Sequence, residues 1–300
     1  MDRRAFVLLA GVVGCAGLVP AQQTPLPIVV GGRKVTNLYW DEEWDKPFLY
    51  PIQTVSGKVL SRGWPIEPRD GDSTDHTWHR GIWYGHGDIS GVDLWREQGR
   101  EKTGRLIARS APKVQPSGVS IDLDIVPPSG KAMGSIQEGY RFTDLGQLRF
   151  VDATITVHAN AGQALTFGDT DDGGFGIRLS EVFREDRGAT LRNSDGLTGT
   201  KNIWGKPAKW VDYSAKVDGE PAGVAMFDHP KNLRYPTRWH ARGYSLNSAN
   251  PFALKSFTKD TVADGRYTLD PGRKLVLRYR VVIYEGTPDL ERLHAEYAKR

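Results

Sequence analysis

The chain is almost without cysteine: Cys15 is the only one, and it lies close to the start. Beyond it there is no thiol for a disulfide, a thiolate metal site or a cysteine nucleophile, and such a chain suits an oxidising compartment. Long apolar runs are also missing after residue 21, where none approaches the roughly 18 residues that a membrane span needs. Charge of one sign is scarce too. A net charge of +4 over 300 residues, without a basic block, gives no reason to expect a nucleic-acid partner. No G-x-S-x-G elbow, Walker loop, dinucleotide fingerprint or HEXXH helix occurs, so esterase, kinase and dehydrogenase readings find no support.

What is present begins with a leader. Arg3 and Arg4 precede an apolar stretch from Ala5 to Val19, and Val19-Pro20-Ala21 offers small residues for cleavage, the pattern of a signal peptide. The paired arginines resemble a twin-arginine export signal. Residues 1–21 are therefore expected to direct the protein to the periplasm or beyond the cell. Val12-Val13-Gly14-Cys15 also resembles a lipobox, which would make Cys15 a lipid anchor and the protein a membrane-anchored lipoprotein. Residues 22–300 carry no repeat, linker or shift of composition and read as one domain.

Thirty-four glycines and eighteen prolines punctuate short β-branched and aromatic runs, the grammar of many strands and turns. Residues 118–126 and 148–158 alternate as half-buried strands, although the alternation slips near Val151. Residues 274–284, KLVLRYRVVIY, form a continuous run suited to a central strand. Thr287-Pro288-Asp289 reads as a helix start, with Thr287 as N-cap, Pro288 at the first helical position and Asp289 as an early acid, followed by Leu290, Leu293 and Tyr297 at helical spacing through Arg300. The expected fold is all-β, a large antiparallel sandwich with one C-terminal helix.

Chemistry concentrates between Gly63 and Trp95, with His76, His79 and His86, four tryptophans, and Glu67, Asp75, Asp88 and Arg80. A strand over residues 80–86 would put Arg80, Ile82, Tyr84 and His86 on one face and His79 and Trp83 on the other. The two histidines then share a cleft only if Gly81 or Gly85 supplies a bulge. His76, His79 and Asp75 could bind a divalent metal, but their spacing matches no strong motif, and no other cofactor is indicated. Three further stretches carry related residues: 227–244 with Trp239, His240 and Arg242, 166–180 with Asp169, and 193–215 with Trp204. The aspartates before Gly173-Gly174 read as caps at a hairpin tip.

These stretches, above all DHTWHRGIWYGHGD, resemble the PmoA-like family of unknown function across roughly residues 45–285. The methane-oxygenase label attached to that family implies an integral membrane subunit, which a chain without spans contradicts. The resemblance implies instead a galactose mutarotase-like super-sandwich and a place in glycan use. The function expected is that of a carbohydrate-active enzyme acting on a glycoside or an oxidised sugar. In it His79 or His86 would be the base, oriented by Asp75 or Asp88. Arg80 and His240 would stabilise developing charge, and Asp169 could pair with a histidine. His76, Trp83, Trp239, Trp204, Glu67 and Arg242 would hold the sugar. The alternatives are a glycan-binding protein without chemistry and a metal-dependent oxidoreductase. No residue pattern speaks to oligomeric state.

Overall fold

The computed structural model describes residues 25–300; the leader, its cleavage point and Cys15 lie outside them. Among the described residues two large antiparallel sheets face each other. A seven-stranded sheet runs in the order Leu26–Val30, Arg33–Tyr39, Phe48–Tyr50, Ile82–His86, Gly173–Arg178, Leu246–Asn250, Arg238–Trp239. A nine-stranded sheet runs Thr190–Asn193, Trp210–Val217, Glu220–Asp228, Lys274–Glu285, Leu148–His158, Gly134–Leu145, Gly118–Val126, Arg105–Ala108, with Lys113–Gln115 also paired to Gly118–Val126. Between the sheets lies the core. Ile82, Tyr84, Phe175 and Ile177 come from the first sheet, Ile136, Ile155, Tyr279 and Val281 from the second. The Phe175 and Tyr279 rings stack across the gap with centroids 5.0 Å apart. The all-β sandwich expected from the sequence is what forms.

The residues at 274–285 make a central strand, as expected, paired on both sides. The slip near Val151 is no irregularity: the ladder from Leu148 to His158 keeps its register throughout. Val151 packs in the core between the sheets, while Phe150 on the other face is covered by the C-terminal helix. Both faces are buried there, so alternation of polarity vanishes while alternation of side chains does not. That helix spans Leu290–Tyr297 and not the whole run to Arg300. Its N-cap is Asp289, whose carboxylate accepts from the Arg292 amide, not Thr287. Leu290, Leu293 and Tyr297 seat it on Phe150, Phe227 and Val282 of the nine-stranded sheet. Two four-residue helices, Thr200–Ile203 and Lys255–Thr258, went unforeseen. Gly173-Gly174 is also not a hairpin tip. It opens a strand in the interior of the seven-stranded sheet, fully buried between Ile82–His86 and Leu246–Asn250.

The outer face of the seven-stranded sheet is roofed by loops. Strand Ile82–His86 begins two residues later than its sequence suggests, because Gly81 takes a positive φ of 49° and bends the chain. The bend carries Arg80 to the outer face, where its guanidinium lies 4.6 Å from the Trp44 ring. It therefore does not share the face of Ile82, Tyr84 and His86.

Candidate functional site

Arg62 organises the loop over this outer face. It is 1% exposed, and Nη1 donates to the carbonyls of Ser73 (3.1 Å) and Asp75 (2.8 Å) and to Asp75 Oδ1 (2.7 Å). Nη2 donates to the carbonyls of His76 (2.9 Å) and His79 (3.0 Å). One side chain thus fixes the path of residues 73–79. Burial and the nearby Arg178 bring its pKa down to about 10, still cationic at neutral pH. Arg178, fully buried at the end of its strand, donates through Nη2 to Asp75 Oδ1 (2.9 Å) and Ser73 Oγ (3.0 Å). Partial burial alone would raise the Asp75 carboxyl. His76, Arg178 and Arg62 outweigh it and hold Asp75 well below the usual carboxylate range.

Four flat rings stack beside this network. Tyr244 lies 5.5 Å from His76, His76 lies 4.9 Å from His79, and His79 lies 5.3 Å from Trp83, each pair within 16° of parallel. The inner end of the ladder rests on Gly176, where a β-carbon would come within 2.7 Å of the Trp83 ring. Arg178 and Arg242 stand 4.7 and 5.6 Å from the Tyr244 ring centre. Within this cluster many buried polar atoms have no partner among the described residues: the indole nitrogens of Trp78, Trp83 and Trp95, both nitrogens of His79, and Nε and Nη1 of Arg178. Burial leaves His79 neutral, its pKa well below the ordinary histidine value, and the charge of Arg178 adds to the effect. Buried donors without partners mark places that water or a ligand's oxygens satisfy.

The ladder borders an open cavity of about 600 Å³ lined by Tyr244, Arg242, Trp204, Lys201, Thr200 and Arg184, and by two carboxylates, Asp186, bound by Arg184, and Glu185, which accepts from Thr200. His240 stands next to it, its ring 6.3 Å from that of Trp204. It is 4% exposed, and Nδ1 lies 2.8 Å from the Asp171 carbonyl oxygen. A carbonyl only accepts, so Nδ1 carries the proton and Nε2 keeps its lone pair. Burial lowers the His240 pKa against the opposing pull of Asp171 and Asp172, which keeps the ring neutral and basic. Arg242 follows two residues on, with no ion pair among the described residues. Asp172 is neutralised by Arg96.

Comparison with known families gives one match along nearly the whole chain, to the family of unknown function DUF6807, over residues 26–298. The chain belongs to that family. A search of curated proteins finds no match. Among solved structures, the DUF6807 chain is similar to a galactose mutarotase related enzyme from Lactobacillus acidophilus. Identity is 9% and the TM-score 0.44, with 88% of this chain and 98% of that one covered. It is also similar to an Escherichia coli K12 protein provisionally assigned as an aldose 1-epimerase. There identity is 10% and the TM-score 0.44, with 88% and 99% covered.

The four stretches singled out in the sequence of this DUF6807 chain do meet, on one face, but with a different cast. Asp75, His76, His79, Trp83, Trp204, His240 and Arg242 come together around the ladder and cavity. His79 and Trp83 are buried in the stack, so neither is an open base or a sugar platform. His86 lies on the opposite face, as strand alternation required, against Phe167 and Phe252. Its Nε2 bonds the Gly168 carbonyl (2.9 Å), and burial drives its pKa down to about 4. It is a core histidine. Asp88 does not orient it but caps a turn by accepting from the Gly91 amide (2.7 Å).

Arg80 is not an oxyanion donor, since it is spent in a buried cluster with Glu97 and Lys46. Trp239 is a core residue between the sheets, its Nε1 donating to the Ala208 carbonyl (2.9 Å). Asp169 is a clamp rather than an acid or base. It accepts from the amides of Leu254, Lys255, Ser256 and Gly265 and from the Ser256 hydroxyl, and despite partial burial these bonds lower its pKa. Glu67 holds the Tyr50 hydroxyl (3.1 Å) at the rim, away from the cavity.

The metal set fails on geometry. His76 and His79 lie in parallel stacked planes, and Asp75 Oδ1 is already claimed by two arginines. Among the described residues no group of three or more His, Cys, Asp or Glu is placed to hold a metal ion. Sequence reasoning missed Arg62, Arg178, Asp171 and Tyr244. For Arg178 a signal existed: it is the sole charge in the strand GGFGIR, at a position where a charge is buried only with partners.

Proposed function

We propose that this chain is an enzyme acting on an acidic saccharide, a sugar or glycoside that bears a carboxylate, by acid-base chemistry centred on His240. The observation that carries the reading is the fixed tautomer of His240. With Nδ1 on the Asp171 carbonyl, the imidazole is a neutral base whose ring centre lies 6.3 Å from that of Trp204, a wall of the cavity. In this reading Nε2 takes a proton from the sugar and can return it to a leaving or newly formed oxygen. Arg242 holds the substrate carboxylate with its planar fork. The charge of Arg178, 4.7 Å from the Tyr244 ring centre, favours negative charge developing on oxygen nearby. Trp204 and Tyr244 supply flat surfaces for the apolar face of a sugar ring.

The competing reading, a glycan-binding protein without chemistry, shares these aromatics and differs at His240. A panel of neutral sugars, uronates and glycosiduronates is to be assayed for turnover and for binding with wild type and with His240→Gln. The expected result is turnover of an acidic member, lost about 100- to 10,000-fold in the variant while binding persists. Binding of acidic glycans with no turnover by wild type would leave the binding protein as the answer.

A further inference from the structure

On the opposite side of the sandwich, the outer face of the nine-stranded sheet holds a second cavity, of about 390 Å³, next to the end of the C-terminal helix. Its floor is made by three residues that face each other across adjacent strands. Gly139 stands between Ser120 and Thr154, and Arg278 continues the row on the next strand. A β-carbon on Gly139 would meet only the Thr154 carbonyl, at 3.8 Å, so the floor opens onto free space.

Cations dominate the walls. Asp152 is the one acidic residue lining the cavity, and it is bound through both oxygens by Arg280 (2.5 and 2.7 Å). Arg141 and Arg278 also line it, and neither has an ion-pair partner among the described residues. His229, 2% exposed, completes the wall with its ring edge-on to Tyr297, 5.1 Å between centroids. Its Nδ1 accepts from the Lys231 amide (3.0 Å). A neutral imidazole that accepts at Nδ1 carries its proton at Nε2, so the free nitrogen of this ring is a donor. Burial keeps it neutral by lowering its pKa, with the Arg278 and Lys231 charges adding to the effect. The cavity is therefore lined by donors: two guanidiniums without partners, an imidazole N–H and two hydroxyls. Such a set matches an oxyanion flanked by hydroxyls, held by forked charge-assisted bonds.

We infer that this cavity is a second ligand site, separate from the His240 face, that binds a small organic ligand through a carboxylate or phosphate group. Carboxylate and phosphate present the same acceptor chemistry to an arginine fork, so the test separates them. Glucuronate, inorganic phosphate and glucose are each titrated against the full chain by calorimetry, while the His229 ring nitrogens are followed by 15N NMR. Saturable binding of at least one anion is expected, with a shift at His229 Nε2 and no binding of glucose there. Glucuronate alone assigns the site to carboxylates, and phosphate alone to phosphorylated ligands.

Two variants probe the site in different ways. Arg278→Gln removes a charge. Gly139→Val fills the floor with a residue that suits a strand. Each is expected to weaken the anion about tenfold or more, whereas Arg33→Gln, which removes an exposed charge from the seven-stranded sheet, leaves it unchanged. A melting temperature near that of wild type checks that each variant folds, and Arg141→Gln substitutes for either that does not. The inference is overturned if neither anion binds saturably, or if binding survives both variants with His229 silent.

Discussion

The two outer faces of the sandwich are built from the same aromatic material and treat its polar atoms in opposite ways. Under the C-terminal helix, Trp210 Nε1 donates to Glu291 (3.1 Å) and the Tyr284 hydroxyl to Asp212 (2.7 Å). Under the loops of the seven-stranded sheet, the indole nitrogens of Trp78, Trp83 and Trp95 and both nitrogens of His79 are buried without a protein partner. An unpartnered buried polar group costs about 1–3 kcal/mol. A fold that merely needed a roof would satisfy these atoms, as the helix side does. The loop side leaves them unpartnered behind a stack of rings whose outer member, Tyr244, lines a cavity, and there function and stability part company.

If that contrast is right, the two roofs should fail differently. Arg62→Ala removes six hydrogen bonds that hold residues 73–79 and leaves Arg178 facing Asp75 alone. The expected cost is about 3–5 kcal/mol, the range for breaking a buried ionic network. It should be seen first as lost hydrogen-exchange protection in 73–79. Leu293→Ala takes an apolar anchor from a helix seated on Phe150 and Val282, and its expected cost is about 2–4 kcal/mol, spread over the helix and the sheet beneath. Hydrogen exchange read by mass spectrometry distinguishes the two. Equal loss of protection across the molecule in both variants would mean that the faces are one cooperative unit, and that the loop roof is no specialised part.

The space between the sheets offers a control, because it too holds unpartnered polar atoms, far from either face. Glu138 is fully buried with Oε1 unpartnered, and Oε2 accepts from the Tyr140 hydroxyl (2.8 Å). Burial raises its pKa from 4.5 to about 8, against the small opposing effect of that bond. Below pH 4.5 folded and unfolded chains are both protonated at this group, and its contribution to stability is fully present. Above that, the folded chain keeps a proton that the unfolded chain has lost, so stability falls as pH rises and is lost through about pH 8. The fall is on the order of a few kcal/mol. Asp228, raised to about 7 by burial, acts the same way over a lower range. Thermal unfolding between pH 5 and 8 should therefore show a decline in wild type that Glu138→Gln reduces. A decline unchanged in Glu138→Gln would show that the carboxyl ionises freely and that water reaches the core.

How much of this was legible follows from how local each signal is. Strands Leu148–His158 and Lys274–Glu285 could be read because side-chain alternation and apolar runs are properties of a few neighbouring residues. The opposition of His79 and His86 followed from the same rule. Trp239 could not be placed: it lies in a two-residue strand, Arg238–Trp239, whose phase is set by pairing with Asn250 and Ala249. A stretch that short carries no period of its own. Asp169 looked like a site residue because its partners, Leu254 to Gly265, lie 85 to 96 residues away. Arg80 was misplaced by a single backbone angle at Gly81. The convergence of four stretches on one face was visible as shared vocabulary, whereas the arginines that bind them together depend on contacts that no local window contains.

The finest test of the comparison concerns Arg242, which lacks an ion pair while its neighbours Arg178, Arg96 and Arg184 all have one. A guanidinium left unpaired beside a cavity serves either solubility or a ligand. Arg242→Lys separates these uses, because it keeps the charge and loses the fork. For a carboxylate gripped by two parallel N–H bonds, replacing the fork with a point charge costs one charge-assisted hydrogen bond, about 1–2 kcal/mol. That corresponds to a KM for an acidic sugar raised about five- to thirtyfold. The rate constant kcat should hold, because the bond is made equally in ground and transition states. Neutral sugars should show no change at all. If kcat falls with KM unchanged, Arg242 acts on the developing charge and not on the substrate carboxylate. The acidic-sugar reading would then lose its anchor, although the loop face would keep its chemistry.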